Sequence, residues 1–551
     1  MSRLPACLRL LVLAIAAFAV WPLQARAAPP PRYNIVFVLV DDLRYDAMGF
    51  LMPGLRTPNI DFLARHGTHF PNAVVTSALC SPSRATILTG LSTRNHGIVD
   101  NNNASEAGLV FFPSYLRQAG YQTAFVGKWH MGADNDAPRP GFDKWVSFKG
   151  QGSYLPTEGL TEAEVAAGKR RMLNVDGRAT PQTGYITDEL TDYAVRWLGA
   201  ERDRSKPFFL YLSHKAVHSE ATPAARHASQ YADLHIPMPE SMANTPANNR
   251  GKPLWVLNQR NSWHGVDFFY HTDRDIQAYY REYLRTLSAV DDSLGRILAE
   301  LRRQKLDRNT MVVFYSDNGF LMGEHGLIDK RNAYEPSVRV PMVAYAPGLI
   351  PAGVTNPVRV RNLDLAPTFL EVAGASPPPH LEGQSLLPVM SGRVAPSQWP
   401  EPDFVYEYYW EWSFPHTPTT FAIRRGPLKY IQYHGVWDLE ELYDLSKDPH
   451  ELRNLVDDPA HLQDKIDLRR ALFEALANRA GEHKVPYTAR LGEGIVWRNA
   501  DGPGAADFPA RWLKAPNLPT RGNGLYPDSP DKAVADRAGE AFRPPPREGT
   551  R

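Results

Sequence analysis

Asp41 and Asp42 stand together at the end of one apolar run, and Asp317 and Asn318 stand at the end of another. If the two ends meet, three carboxylates and one amide carbonyl gather. These hard oxygen donors suit calcium or magnesium rather than zinc, which favours histidine and thiolate. An aspartate pair at a strand end also serves as a turn or helix cap, so the pair alone does not define a site. Cationic groups follow similar runs: Arg84, Lys128 and Lys330. Arg84 lies four residues after Cys80, one turn on if a helix starts near Ser83. The free N–H groups at the start of such a helix favour an anion. Lys128 and His130 alternate, so in an extended segment they share a face and reach one anion together. Cys80 has no internal disulfide partner, because the only other cysteine, Cys7, precedes a leader-like apolar run. A lone thiol in an exported chain needs another reason to be there.

Four elements must position these groups. Tyr33–Val40 is a nearly continuous apolar, β-branched run, the pattern of a strand buried on both faces of a parallel sheet, and it ends on Asp41-Asp42. Thr123–Val126 runs into Gly127-Lys128-Trp129-His130, Phe208–Leu212 into His214-Lys215-Ala216-Val217-His218, and Met311–Tyr315 into Asp317-Asn318-Gly319. Helical patterns at Thr187–Leu198 and Tyr279–Leu301 alternate with them. This predicts an α/β fold, a large mostly parallel sheet sandwiched by helices. Ligands of such folds gather beyond the carboxyl ends of the strands, where the four polar clusters converge.

The pattern turns turn-rich near Pro377–Pro379 and again at Val394–Pro402. A catalytic domain is expected over residues 33–390 and a smaller C-terminal α+β domain over 391–481. The latter holds short antiparallel strands at Phe404–Tyr409, Phe421–Arg425, Leu428–Tyr433 and Glu441–Leu445, then a helix from about Pro459 to Arg479. Residues 482–551 are rich in proline, glycine and charge and read as an extended or partly disordered tail.

Lysine plus arginine number 61 against 60 aspartates plus glutamates, so no global charge points to nucleic acid or an anionic membrane. Any anion is bound locally. Residues 1–27 have the layout of a secretory signal peptide: Arg3 and Arg9, the apolar run Leu10–Trp21, then Ala25-Arg26-Ala27. An exported protein, periplasmic or secreted, without stable membrane insertion is expected, since that run is short for a spanning helix.

The stretch Cys80-Ser81-Pro82-Ser83-Arg84-Ala85-Thr86-Ile87-Leu88-Thr89-Gly90 resembles the signature of the type I, formylglycine-dependent sulfatases of the alkaline phosphatase superfamily. Gly127-Lys128-Trp129-His130-Met131-Gly132, Asp317-Asn318-Gly319 and the segment Gly323–Arg331 are similar to other stretches of that family. The likeness spans about Asn34 to Ala373 and, more weakly, reaches Asn454 through Leu442–Glu451.

The resemblance implies that Cys80 is oxidised to formylglycine by a maturation enzyme and does not act as a thiol. It implies that Asp41, Asp42, Asp317, Asn318 and the modified Cys80 hold one divalent cation, usually calcium. Arg84, Lys128 and Lys330 then stabilise the charge that builds on a sulfate ester during attack at sulfur. Of the two hydroxyls of the hydrated aldehyde, one attacks, with Asp317 as base. His218, assisted by Lys330, serves the departing alcohol, and His130 takes the proton of the second hydroxyl as sulfate leaves. His214 competes with His218, and Arg331 and His325 compete with Lys330.

Phe148–Tyr154, Gly184–Asp188 and His214–His218 look most like the N-acetylglucosamine-6-sulfatase branch, which points to sulfated glycans as substrates. Tyr154, Trp263, Tyr408, Tyr409 and Trp410 can stack on sugar rings or pack in the core. Two rival readings are a phosphonate monoester hydrolase or phosphodiesterase of the same superfamily and an inactive secreted glycan-binding protein.

Overall fold

The four apolar runs become the centre of a ten-stranded sheet in the computed structural model, which describes residues 32–103, 108–132, 135–272, 274–411, 413–435 and 438–478. The expected leader at 1–27 and tail at 482–551 lie outside the described residues. Strand Asn34–Val40 pairs in parallel with Phe208–Ser213 on one side and Thr310–Ser316 on the other, and Gln122–Gly127 adds in parallel to Phe208–Ser213. Strands Val354–Thr355, Thr68–His69 and Met342–Tyr345 extend one side. Lys144–Ser147, Met172–Val175 and Arg178–Pro181 extend the other, the last two through antiparallel pairs.

Register decides where the polar groups emerge. Leu39 lies opposite both Ser213 and Tyr315, Val40 opposite Ser316, and Gly127 opposite Ser213. The residues that follow therefore leave one edge of the sheet at one level. Gly127 is required there: a Cβ on it would stand 1.7 Å from the Ser213 carbonyl oxygen.

Successive side chains of a strand face opposite ways, and here both faces are covered. Ile35, Phe37 and Leu39 join Ala85 and Leu88 of helix Cys80–Thr89 and Phe369 of helix Leu365–Val372 in one core. Val36, Val38 and Val40 join Leu190 of helix Ile186–Arg196 and Leu287, Val290 and Leu294 of the long helix Ile276–Arg303 in the other. That double burial is why the strands read as continuous apolar runs instead of alternating ones. The long helix starts at Asp275, whose carboxylate accepts from the Gln277 N–H at 2.9 Å, and ends on Arg302 and Arg303, which complement its dipole.

The smaller C-terminal domain is a four-stranded antiparallel sheet, Phe404–Tyr408, Thr419–Arg425, Leu428–His434 and Glu441–Asp444, followed by helix Leu462–Asn478. One face, with Val405, Ile423 and Leu442, packs on Leu468 and Leu472 of that helix. The other face, with Tyr406, Tyr408 and Ile431, belongs to the core of the large sheet. No helix among the described residues is long and apolar enough to cross a membrane.

Phe37 is fully buried, its ring 4.9 Å from Tyr211 and 5.3 Å from Phe369. Phe37→Ala should lower stability by about 3–5 kcal/mol, seen as a lower urea midpoint. An unchanged midpoint would mean that this face is not the core it resembles.

Candidate functional site

The edge of the sheet delivers its carboxylates into one another. Asp41 donates its N–H to Ala216 O at 2.9 Å, and the Asp42 N–H donates to Asp317 Oδ1 at 3.1 Å. Tyr283 of the long helix fixes the turn, its hydroxyl donating to Asp42 O at 2.7 Å while accepting from the Arg44 N–H at 2.9 Å. Asp41, Asp42 and Asp317 place one carboxylate oxygen each within 4.8 Å of one another, and all three are buried. Asn318 is fully buried beside them; its Nδ2 donates to Asp42 Oδ1 at 2.7 Å and to Gly319 O at 2.8 Å. Its Oδ1 has no hydrogen-bond partner. A buried carbonyl oxygen left bare next to three crowded carboxylates is the donor set of a hard divalent cation.

Cys80 opens its helix under this cluster. Its thiol lies 3.4 Å from Asp41 Oδ1, and it is fully buried. Burial first, and then the charge of Asp41, push the thiol pKa up. The unmodified side chain therefore stays protonated, which disqualifies it as a thiolate nucleophile. Arg84, one turn on, donates from Nε to Asp317 Oδ2 at 2.8 Å and from Nη1 to Lys128 O at 2.7 Å and Ser213 Oγ at 2.6 Å. It ties three strand ends together. Its buried Nη2 has no hydrogen bond and stands 3.8 Å from Asp41 Oδ2, the remaining donor of the fork.

Lys128 pairs with Asp41 and also donates to Gln151 Oε1 at 2.5 Å, and Lys330 donates to Asp42 Oδ2 at 2.6 Å. Burial would raise the Asp41 carboxyl, but Lys128, joined by Arg84, holds it well below the usual range. Asp317 goes the other way: burial and the neighbouring Asp41 push it up to about 7. Asp42 is also raised, by burial first. Such crowding is what a bound cation relieves.

His218 comes to the site and His214 does not. His218 Nε2 lies 3.8 Å from Asp42 Oδ2, whereas His214 Nε2 is 3.1 Å from Ser293 Oγ of the long helix. His218 Nδ1 is 2.5 Å from Ser219 O; since a carbonyl only accepts, Nδ1 carries the proton and the neutral ring turns an open Nε2 to the site. Burial, then Lys128 and Lys330, lower its pKa well below the ordinary histidine value. His130 is lowered in the same way, by burial and then Lys128.

The extended segment expected to put Lys128 and His130 on one face is not present: His130 has φ 53°. The two converge through this left-handed turn and not through strand alternation. Asp42, Asp329 and Arg331 also have positive φ, at 61°, 97° and 76°. Strained residues held by their surroundings gather at functional sites.

Four residues of the cluster, Asp42, His130, His218 and Lys330, line the floor of a pocket of about 410 Å³, with Asn101, Asn102, Gln151, Trp263, His264, Asp329, Arg331, Glu411 and Phe414 around it. Arg331 is part of the wall; His325 is not, and its ring packs 4.2 Å from Tyr334. Of the expected stacking aromatics, Trp263 is 59% exposed and lines the pocket. Tyr154, Tyr408 and Tyr409 are buried. Tyr154 is structural: its hydroxyl donates to His218 O at 2.7 Å, and Lys215 Nζ sits 4.5 Å above its ring. Gln151 lies in the Phe148–Tyr154 stretch, where nothing marks it out from its neighbours, and Glu411 carries no sequence signal of its own, because it arrives from a loop without periodicity.

Residues 33–375 match the sulfatase family model, and residues 323–478 match the model of the N-sulphoglucosamine sulphohydrolase C-terminal region. The chain is 31% identical over 501 residues to an N-acetylglucosamine-6-O-sulfatase of Bacteroides thetaiotaomicron, covering 80% of this chain and 86% of the relative. It is 28% identical over 479 residues to an N-acetylglucosamine-6-sulfatase of Capra hircus, covering 77% and 80%. A solved structure of a protein in complex with its substrate D-glucosamine-2-N,6-O-disulfate superposes with a TM-score of 0.72 at 29% identity, over 82% of this chain and 99% of that one. With that match running through every strand that feeds the carboxylate cluster, the chain belongs to the sulfatase family and is a sulfuric ester hydrolase.

Proposed function

We propose that this enzyme is an exported sulfatase that removes the 6-sulfate of N-acetylglucosamine or a related unit of a glycan. The single observation that carries the substrate reading is the 31% identity to an N-acetylglucosamine-6-O-sulfatase over most of both chains. The pocket supports it: a floor that holds Lys330, His130 and His218, an exposed Trp263 on which a sugar ring can stack, and buried polar groups around them. Export rests on the leader-like sequence of residues 1–27.

Asp41, Asp42, Asp317 and Asn318 are the residues that would hold the cation, with calcium proposed from the all-oxygen set. Residue 80 as formylglycine would supply a geminal diol in place of the inert thiol, and the cation would make its hydroxyl more acidic. The rest belongs to the chain itself. Lys128, Lys330 and the Nη2 of Arg84 converge where the ester's sulfuryl oxygens would sit, and they meet charge as it builds. Asp317, whose Oδ2 is held by Arg84 Nε at 2.8 Å, is the carboxylate proposed to accept a proton from residue 80. With Nδ1–H held by Ser219 O, His218 can serve the leaving oxygen only after Nε2 has taken up a proton, and that imidazolium is the form proposed to protonate the departing alcohol. His130 Nδ1, buried and without a partner, is the base for the second proton. A maturation enzyme that oxidises Cys80 is the implied partner.

Two outcomes test this reading. Sulfate release by the matured enzyme should be faster from N-acetylglucosamine-6-sulfate than phosphonate release from a phosphonate monoester or hydrolysis of an aryl sulfate. A preference for the phosphonate would overturn the substrate class. Calcium at about 100 times its Kd should stabilise the protein by about 2.7 kcal/mol, read as a higher Tm that chelation reverses. Asn318→Leu, which keeps the volume but removes the bare oxygen, should lose most of that gain. A Tm indifferent to calcium and magnesium would contradict the ligand set.

A further inference from the structure

The wall of the pocket differs in charge from its floor. Arg331 is the one arginine among the described lining residues; its Nε and Nη1 face carboxylates and its planar face is covered. Nη1 donates to Asp329 Oδ2 at 2.6 Å, Nε donates to Glu411 Oε1 at 2.8 Å, and the guanidinium lies 3.6 Å from the ring centroid of Phe414. Lys330 faces Asp42 in the same manner. Above the floor, then, no cation among the described lining residues is left without a carboxylate. Glu220 adds a further carboxylate at the rim, where it pairs with Arg274 at 2.6 Å.

Glu411 is 1% exposed and lines the same pocket. Its Oε1 accepts from Arg331 and from the Tyr408 hydroxyl at 3.0 Å, but its Oε2 is buried with no hydrogen-bond partner. The neighbouring His264 has an unpartnered Nε2. Buried polar atoms are almost always paired, and a bare carboxylate oxygen at a pocket wall is satisfied by a donor on the occupant. Hydroxyl and amide N–H groups are such donors. A sulfate carries no donor, and a second negative charge beside Glu411 finds no free cation to meet it.

We propose that this wall is the receptor for the uncharged part of the substrate sugar, with Glu411 Oε2 accepting from one of its hydroxyl or amide groups. By this arrangement the enzyme selects a singly sulfated unit and discriminates against a second sulfate on the same sugar. The inference rests on the carbohydrate reading above and narrows it.

The test compares kcat/KM of the matured, calcium-loaded enzyme for N-acetylglucosamine-6-sulfate and for glucosamine-2-N,6-O-disulfate. The monosulfated sugar should be favoured at least ~10-fold. Glu411→Gln should raise KM for the N-acetyl sugar more than it lowers kcat, and should shrink the preference. Equal kcat/KM for the two sugars, or preference for the disulfate, would overturn the inference while leaving the sugar reading in place. An unchanged KM and an unchanged ratio in Glu411→Gln would remove Glu411 from the role; the wild-type comparison stands even if that variant does not fold. If an aryl sulfate is hydrolysed and neither sugar is, the carbohydrate reading falls and this inference with it.

Discussion

Three carboxylates held together out of water are the constraint on which the rest of the structure depends. Asp41, Asp42 and Asp317 are at most 1% exposed and approach within 4.8 Å of one another. Like charges so placed repel strongly in a medium of low polarisability, and burial penalises each of them further. The sheet enforces the arrangement: the parallel register of Asn34–Val40 with Thr310–Ser316 leaves Asp41 and Asp317 no alternative level. Arg84, Lys128 and Lys330 match the three charges one for one.

That balance has a chemical consequence. With three carboxylates already countered by three fixed cations, an added divalent cation leaves the floor with net positive charge, which an anionic ester can meet. Among the atoms that the resting arrangement does not satisfy are the bare Oδ1 of Asn318, an acceptor for a cation, and the Nη2 of Arg84, a donor for an anion. The Cys80 thiol lies 3.4 Å from Asp41 Oδ1, and burial pushes its pKa up. A site this well supplied with charge, built around a thiol whose pKa burial pushes up, makes chemical sense when residue 80 is something other than a thiol.

Much of this was legible in the sequence because it is carried by short contiguous strings. The four apolar runs became four central strands, and the Cys80 helix, the Asp41-Asp42 pair and the Asp317-Asn318 pair all came to one edge. Distance from the strand end favours His218 over His214, and His218 is the one beside Asp42; what draws His214 away, Ser293 of the long helix, is far off in the chain and was not legible. The joint placement of Lys128 and His130 was expected for the wrong reason, because a positive φ at His130 leaves no periodicity to read. Tyr154 looked like a sugar platform and is a buried strut beneath His218. Of the pocket wall the sequence marks only Trp263 and Arg331; Glu411 and Phe414 join Arg331 only through tertiary packing of the C-terminal domain against the loop after Asp329.

The central claim is that turnover depends on residue 80 in its oxidised form and not on a cysteine thiol. The most direct measurement is the fraction of chains carrying the aldehyde at position 80, read from the mass of the peptide that contains it, set against sulfate release across preparations matured to different extents and the Cys80→Ala variant. The account predicts turnover proportional to that fraction, with none in Cys80→Ala although the variant folds. Undiminished hydrolysis by Cys80→Ala, or full activity in a preparation that retains the thiol, would contradict it.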